Sequence, residues 1–143
     1  MEMASGGGIC NRLTMADVDA VVVHSGIVGK QLDQLAAVAG FPDSGLQYGT
    51  DSANRLARHL RDHTGCDYAL LTLVQHEPDN EKLQSGADVL IAVATADTVV
   101  NRPARLMGGR EWIRLGSTEM ALDVLRRTLF GLPVEEKIDF EQQ

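Results

Sequence analysis

The sequence predicts a layered α/β domain. Short runs that are apolar on both faces alternate with longer stretches of helical periodicity, and 143 residues is the length of one domain. A run with no polar face reads as a strand buried between helices.

The elements follow in chain order. Gly6, Gly7 and Gly8 lead into a short helix holding Ile9, Cys10 and Leu13. Ala20–His24 (AVVVH) is a β-branched run and predicts a strand. Val28, Leu32, Leu35, Ala36 and Ala39 repeat at helical spacing, with Gly40 and Pro42 as stops. Thr50 or Asp51 can cap a next helix, whose buried face is Ala53, Leu56, Ala57 and Leu60. Arg61 and His63 suit the negative end of that helix's dipole, and Gly65 ends it. Asp67–Val74 and Asp88–Thr95 are further strand runs. Thr98–Met107 is a weaker one, which Pro103 restricts to an edge or a bulge. A long helix spans Glu111–Phe130, with Ile113, Ser117, Met120, Ala121, Val124, Leu125 and Thr128 on one face. Gly131 and Pro133 stop it. The domain covers residues 1–133, and 134–143 is an acidic tail, loosely attached.

Composition excludes several functions. A net charge of -7 argues against a nucleic-acid surface, and 4% aromatic residues argue against base-stacking platforms. No run of about 18 apolar residues is present, so no membrane span is expected. Without a basic and apolar leader, a cytoplasmic location is expected. Cys10 and Cys66 lack CxxC spacing and read as two reduced, partly buried thiols, with a disulfide or a metal pair as the minority reading; neither a metal nor a cofactor is expected.

Five groups could carry chemistry, each with a plainer alternative. The three glycines before a helix could cradle a phosphate or carboxylate, or serve as a flexible lead-in. Lys30, with Ser25 and His24 nearby, could activate a hydroxyl, or be an exposed lysine in a helix's first turns. His59 and His63 have metal-ligand spacing with Cys66 following, but no Glu of an HExxH motif stands between them, and a solvated face is the simpler reading. His76–Glu81 is an acidic turn at a strand's carboxyl end, where α/β sites form, or a polar loop with no function. Arg110 and Arg114, one turn apart at a helix start, could clamp a phosphate, or be two surface arginines.

These pieces together resemble the CinA C-terminal family, whose enzyme members are nicotinamide mononucleotide deamidases of the PncC type. The resemblance runs from about Glu2 to Leu129 in the family's order. The family's ESxTGG corresponds to Glu2–Gly7, and a Leu-Thr pair to Leu13 and Thr14. TYSNEAK corresponds to His24–Lys30, and ADYAVxITGIAGP to Cys66–Pro78. GTVxxAxA corresponds to Ala87–Ala94. The most specific motif, FxGxRxxVR, corresponds to Leu106–Arg114, followed by Ala121 and Leu122. The resemblance implies a three-layer α/β/α domain around a mixed, mostly buried sheet.

The departures shape the functional expectation. Where the family has its nucleophilic Ser, this chain has Met3. The Tyr of TYSNEAK is Ser25, the Thr-Gly of TGIAGP is Leu73 and Val74, and the second Gly is Glu77. Glu2, Ser5, Gly6, Gly7, Lys30, Pro78, Gly108, Arg110 and Arg114 are retained. A thioether neither attacks a carboxamide productively nor relays a proton. The resemblance therefore implies a degenerate relative that keeps at most small-ligand or partner binding. The ligand would be a pyridine nucleotide or another phosphate-bearing molecule at Gly6, Gly7, Gly108, Arg110 and Arg114. Retained amide hydrolysis would use Ser5 or Ser25 with Lys30, and a third reading is a self-associating structural domain. Set against the family, the first helix and most of the first strand are lacking. The expectation is a sheet short of one strand, with an exposed edge covered by self-association.

Overall fold

The computed structural model describes residues 1–43, 45–77 and 86–136. Along the chain run β1 (Glu2–Met3), α1 (Gly8–Ala16), β2 (Val28–Gly29), α2 (Leu32–Val38) and α3 (Thr50–Thr64). They are followed by β3 (Ala69–His76), β4 (Gly86–Ala94), β5 (Val99–Met107) and α4 (Arg110–Leu129). The five strands form one sheet in the order β2-β1-β3-β4-β5. The β2, β1 and β3 strands are parallel, and β3, β4 and β5 are antiparallel. Helices cover both faces, giving the three layers expected.

Strand β4 shows why the apolar runs became strands. Val89, Ile91 and Val93 pack with Ile9 of α1 and Ile113, Met120 and Val124 of α4. Leu90, Ala92 and Ala94 face the other way, toward Ala36 of α2 and Ala53, Leu56, Ala57 and Leu60 of α3. Alternate residues thus feed two separate cores, so no polar face survives. Strand β5 is the edge, with Pro103 opposite Leu90 in an unbroken register. The edge alternative is therefore realised without a bulge.

The helix stops behave as read. Gly40, at φ +67°, closes α2 as Gly40 N–H bonds Ala37 O and Phe41 N–H bonds Ala36 O. That pairing is a Schellman motif. The residue capping α3 is Gly49 rather than Thr50 or Asp51, and no side chain bonds there. At the chain's other end, Arg127 holds Pro133 O at 2.9 Å and Glu136 at 2.6 Å. The part of the tail within the described residues is thus tied to α4, and the rest of it lies outside them. No helix among the described residues is long and apolar enough to cross a membrane.

One expected strand is absent. Ala20–His24 is irregular, and Val21 and Val22 are each 80% exposed. The Asp17 carboxylate accepts the N–H groups of Val21, Val22 and Val23 at 3.1, 2.9 and 2.7 Å, and so takes the donors a ladder would need. The strand instead falls on Val28–Gly29, which pairs with β1 and delays the start of α2 to Leu32.

Candidate functional site

The three parallel strands point their carboxyl ends the same way, and α/β sites form beyond such ends. The turn Ala4–Gly7 leaves β1 there, Lys30 leaves β2, and His76 closes β3. Gly6 and Gly7 adopt φ +65° and +86°, a backbone that glycine takes freely. A Cβ at Gly6 would stand 3.4 Å from Arg114 Cδ, so the arginine's stem lies over this turn. The structure thus brings Ser5, Gly6, Gly7 and Arg114 into one neighbourhood, with Lys30 at the adjacent strand end.

The turn's polar groups are already engaged. Glu2 is only 1% exposed and projects from β1 onto the start of α1. Its carboxylate accepts Ile9 N–H at 3.1 Å and Cys10 N–H at 2.8 Å. It also accepts the hydroxyl of Ser5, which is fully buried. These are the orphan donors of a helix N-terminus, capped here by a strand residue rather than by the preceding turn. Burial alone would push the Glu2 carboxyl up. Hydrogen bonds from the Cys10 thiol, the Ser5 hydroxyl and the two backbone N–H groups outweigh burial and hold it below the usual carboxylate range. Burial first, and then Glu2, push the Cys10 thiol up to about 11.

The arginines sit at the start of α4. Arg114 makes a two-point pair with Glu111, at 3.0 and 2.5 Å, and this pairing holds the exposed Glu111 carboxyl low. Arg110 is the first residue of α4 and is exposed. Gly108, at φ +128°, lies against Trp112, where a Cβ would stand 2.9 Å from the indole. Its retention is explained by that contact, whatever else it does.

Ser25 belongs elsewhere. It lines a cavity of about 490 Å³ at the opposite ends of the strands, together with His24, Cys10, Cys66, Tyr68 and Leu70. Five residues of nearly extended chain, about 16 Å, separate Ser25 from Lys30. Its hydroxyl lies 3.2 Å from His24 Nδ1. The pairing of Ser25 with Lys30 is therefore not brought together, whereas Ser5 and Lys30 share an end of the sheet.

The remaining groups hold structure. His59 bonds Ala39 O at 3.0 Å, stacks on His63 at 5.4 Å and meets Phe41 edge-on, tying the α2–α3 connection to α3. No cluster suited to a metal ion exists among the described residues. Glu77 pairs with Arg105 and accepts Gly86 N–H at 3.2 Å, clamping the two ends of the β3–β4 connection. Pro78 and the rest of the turn to Glu81 lie outside the described residues. Sequence reasoning missed Asp17, and it saw Glu2 only as a retained residue, not as the helix cap. The one signal available was a carboxylate in each of two short apolar neighbourhoods, Glu2 alone in its own and Asp17 with Asp19 close by.

No family model matches the chain. It is 31% identical over 140 residues to a CinA-like protein of Frankia casuarinae, covering 94% of this chain and 32% of that relative. It is also 31% identical over 142 residues to a CinA-like protein of Desulfovibrio desulfuricans, covering 94% and 33%. A CinA-like protein of Shewanella sediminis is 31% identical over 137 residues, covering 91% and 32%. The chain spans about a third of the length of these relatives. Over more than nine-tenths of its length, on a fold with the expected three layers, the chain is thus similar to about a third of each of these CinA-like proteins.

Proposed function

We propose that this domain has lost amide hydrolysis and keeps binding of a small phosphate-bearing ligand at the carboxyl ends of its parallel strands, in the cytoplasm. The observation that carries this reading is Ser5, fully buried with its hydroxyl committed to Glu2. A nucleophile must reach its carbonyl and needs donors aimed at the developing oxyanion. Here the hydroxyl has no access to solvent, and two N–H groups of the adjacent helix start serve Glu2. Met3 in β1 and the buried Leu73 in β3 add apolar bulk where the resembling enzymes are polar or small. Binding is supported by the cationic side chains that remain at this end, Lys30, Arg110 and Arg114.

Two measurements test the reading. Ammonia release from nicotinamide mononucleotide should not exceed background, and release that disappears in Lys30→Ala or Ser5→Ala would overturn the loss of catalysis. In thermal-shift titrations, phosphate or nicotinamide mononucleotide should stabilise the protein, by about 2.7 kcal/mol at a hundredfold excess over Kd. Arg114→Ala should abolish that gain. No shift with either compound would remove the binding half of the proposal.

Self-association is a second reading, favoured by the open β2 edge. Val28 beside it is 51% exposed and Val38 of α2 is 72% exposed, next to a groove lined by Gly26, Gly29 and Leu35. Light scattering should then give a dimer mass that Val28→Asp lowers to the monomer. A monomer in the unsubstituted protein refutes it.

A further inference from the structure

Strand β3 sends alternate side chains to opposite faces of the sheet. Leu71 and Leu73 pack toward α2 and α3, and Val74 packs toward α1 and α4. His76, the last residue of β3 and two beyond Val74, therefore falls on the α1–α4 face. Its register agrees: His76 pairs with Ala87, and Ala87 with Leu106, both buried in the core that α1 and α4 cover. On the other flank of β3, Glu2 is level with Thr72. Two residues on, Ala4 comes level with Val74, so the turn Ala4–Gly7 opens beside the end of β3, one strand spacing, about 4.8 Å, away. Arg114 lays its stem over Gly6 of that turn. His76 and Arg114 thus border one turn from two different elements.

Charge is sorted between the two faces at this end. Glu77 and Asp88 fall on the α2–α3 side, where Arg105 bonds both, Asp88 at 3.1 Å. The α1–α4 side carries His76 and Arg114, with Arg110 at the start of α4 and Lys30 at the end of β2. Of the carboxylates there, Glu2 is buried under the start of α1 and Glu111 is held by Arg114. His76 itself is exposed. Of the four histidines, His59 and His63 stack on each other and His24 meets Ser25, whereas the His76 ring has no partner among the described residues. The motif ADYAVxITGIAGP has Ala at this place, so the imidazole is a feature of this chain.

Building on the reading of this end of the sheet as a phosphate-binding site, we propose that His76 is a further ligand-binding residue: its imidazole N–H donates to the phosphate of a phosphate monoester held at the Gly6–Gly7 turn, across from Arg114. A monoester presents three strong acceptor oxygens, so donors arriving from separate elements each take one. The arginine and lysine side chains supply charge, and the histidine supplies direction. An imidazole keeps an N–H donor whether neutral or protonated, so the contact does not depend on its charge.

Titration calorimetry and NMR on the full chain test this, with inorganic phosphate and nicotinamide mononucleotide as probes. His76→Ala should weaken both by about tenfold or more, the worth of one hydrogen bond to a charged group. His76→Gln keeps a side-chain N–H and should stay within about threefold of the unsubstituted protein. In imidazole-detected spectra, phosphate should shift the His76 ring signals to saturation and leave those of His24, His59 and His63 in place. Far-UV circular dichroism verifies that each variant is folded. Binding that Arg114→Ala abolishes but His76→Ala leaves unchanged, with His76 signals unmoved, overturns the role of His76 and leaves the binding reading standing. Equal shifts at all four histidines, or a Gln variant as weak as the Ala variant, overturn it as well. Failure of both probes to bind the unsubstituted protein removes the binding reading and the role of His76 together.

Discussion

Replacing Glu2 by Ala leaves the N–H groups of Ile9 and Cys10 and the Ser5 hydroxyl without their acceptor in a buried place. Hydrogen bonds to a charged partner are worth about 1.5–3 kcal/mol each, and part of that repays the carboxylate's own desolvation, so the loss should be about 3 kcal/mol in urea unfolding. Acid should reveal the same residue. Its pKa is depressed in the folded protein from 4.5, so its stabilisation is complete above 4.5 and is lost as pH falls through the folded value. The stability gap between the unsubstituted protein and Glu2→Gln should therefore be widest near neutrality and narrow below pH 4.5. The Cys10 thiol, held up at about 11, is a thousandfold or so short of half-ionised at pH 8. Iodoacetamide at that pH should modify it far more slowly than a free model thiol, and unfolding in urea should restore ordinary reactivity.

Among the elements, α3 carries the most conventional burden. Leu56 is fully buried between α3 and the sheet, so Leu56→Ala should cost about 3 kcal/mol in the same unfolding experiment. That residue was legible from its spacing, as were Ala53, Ala57 and Leu60, because helix periodicity and burial coincide there. Strands β3 and β4 were legible for the same reason, their runs being apolar on both faces. The Ala20–His24 segment was not. Its β propensity is real, but a carboxylate three residues upstream claims its donors, and no local pattern announces that. The site was legible in part. The glycines, Lys30 and the α4 arginines were singled out and fall at one end of the sheet, whereas Ser25 falls at the other. The difference turns on where β2 begins, and a strand of two residues leaves no periodicity to read.

At the scale of the molecule, the sheet has two unequal halves. The antiparallel half pairs eight residues of β3 and nine of β4 with continuous ladders. The parallel half rests on two-residue strands. Amide exchange should divide accordingly, with β3, β4, α3 and α4 opening only on global unfolding and residues 17–31 opening locally and much sooner. The single tryptophan, Trp112, lies at the start of α4 beside Gly108, so its emission should respond to a ligand bound near Arg110 and Arg114.

The cap that Glu2 places on α1 also bears on how this chain acquires its shape. The first turn of α1 has no side-chain acceptor from its own preceding residue, Gly7. It borrows one from a strand that must first dock against Thr72, seventy residues along the chain. A nine-residue helix is too short to persist alone. Helix and strand should therefore assemble, and come apart, as one cooperative unit, late in folding, after the local β3–β4–β5 hairpins and α4 have built the surface that receives them.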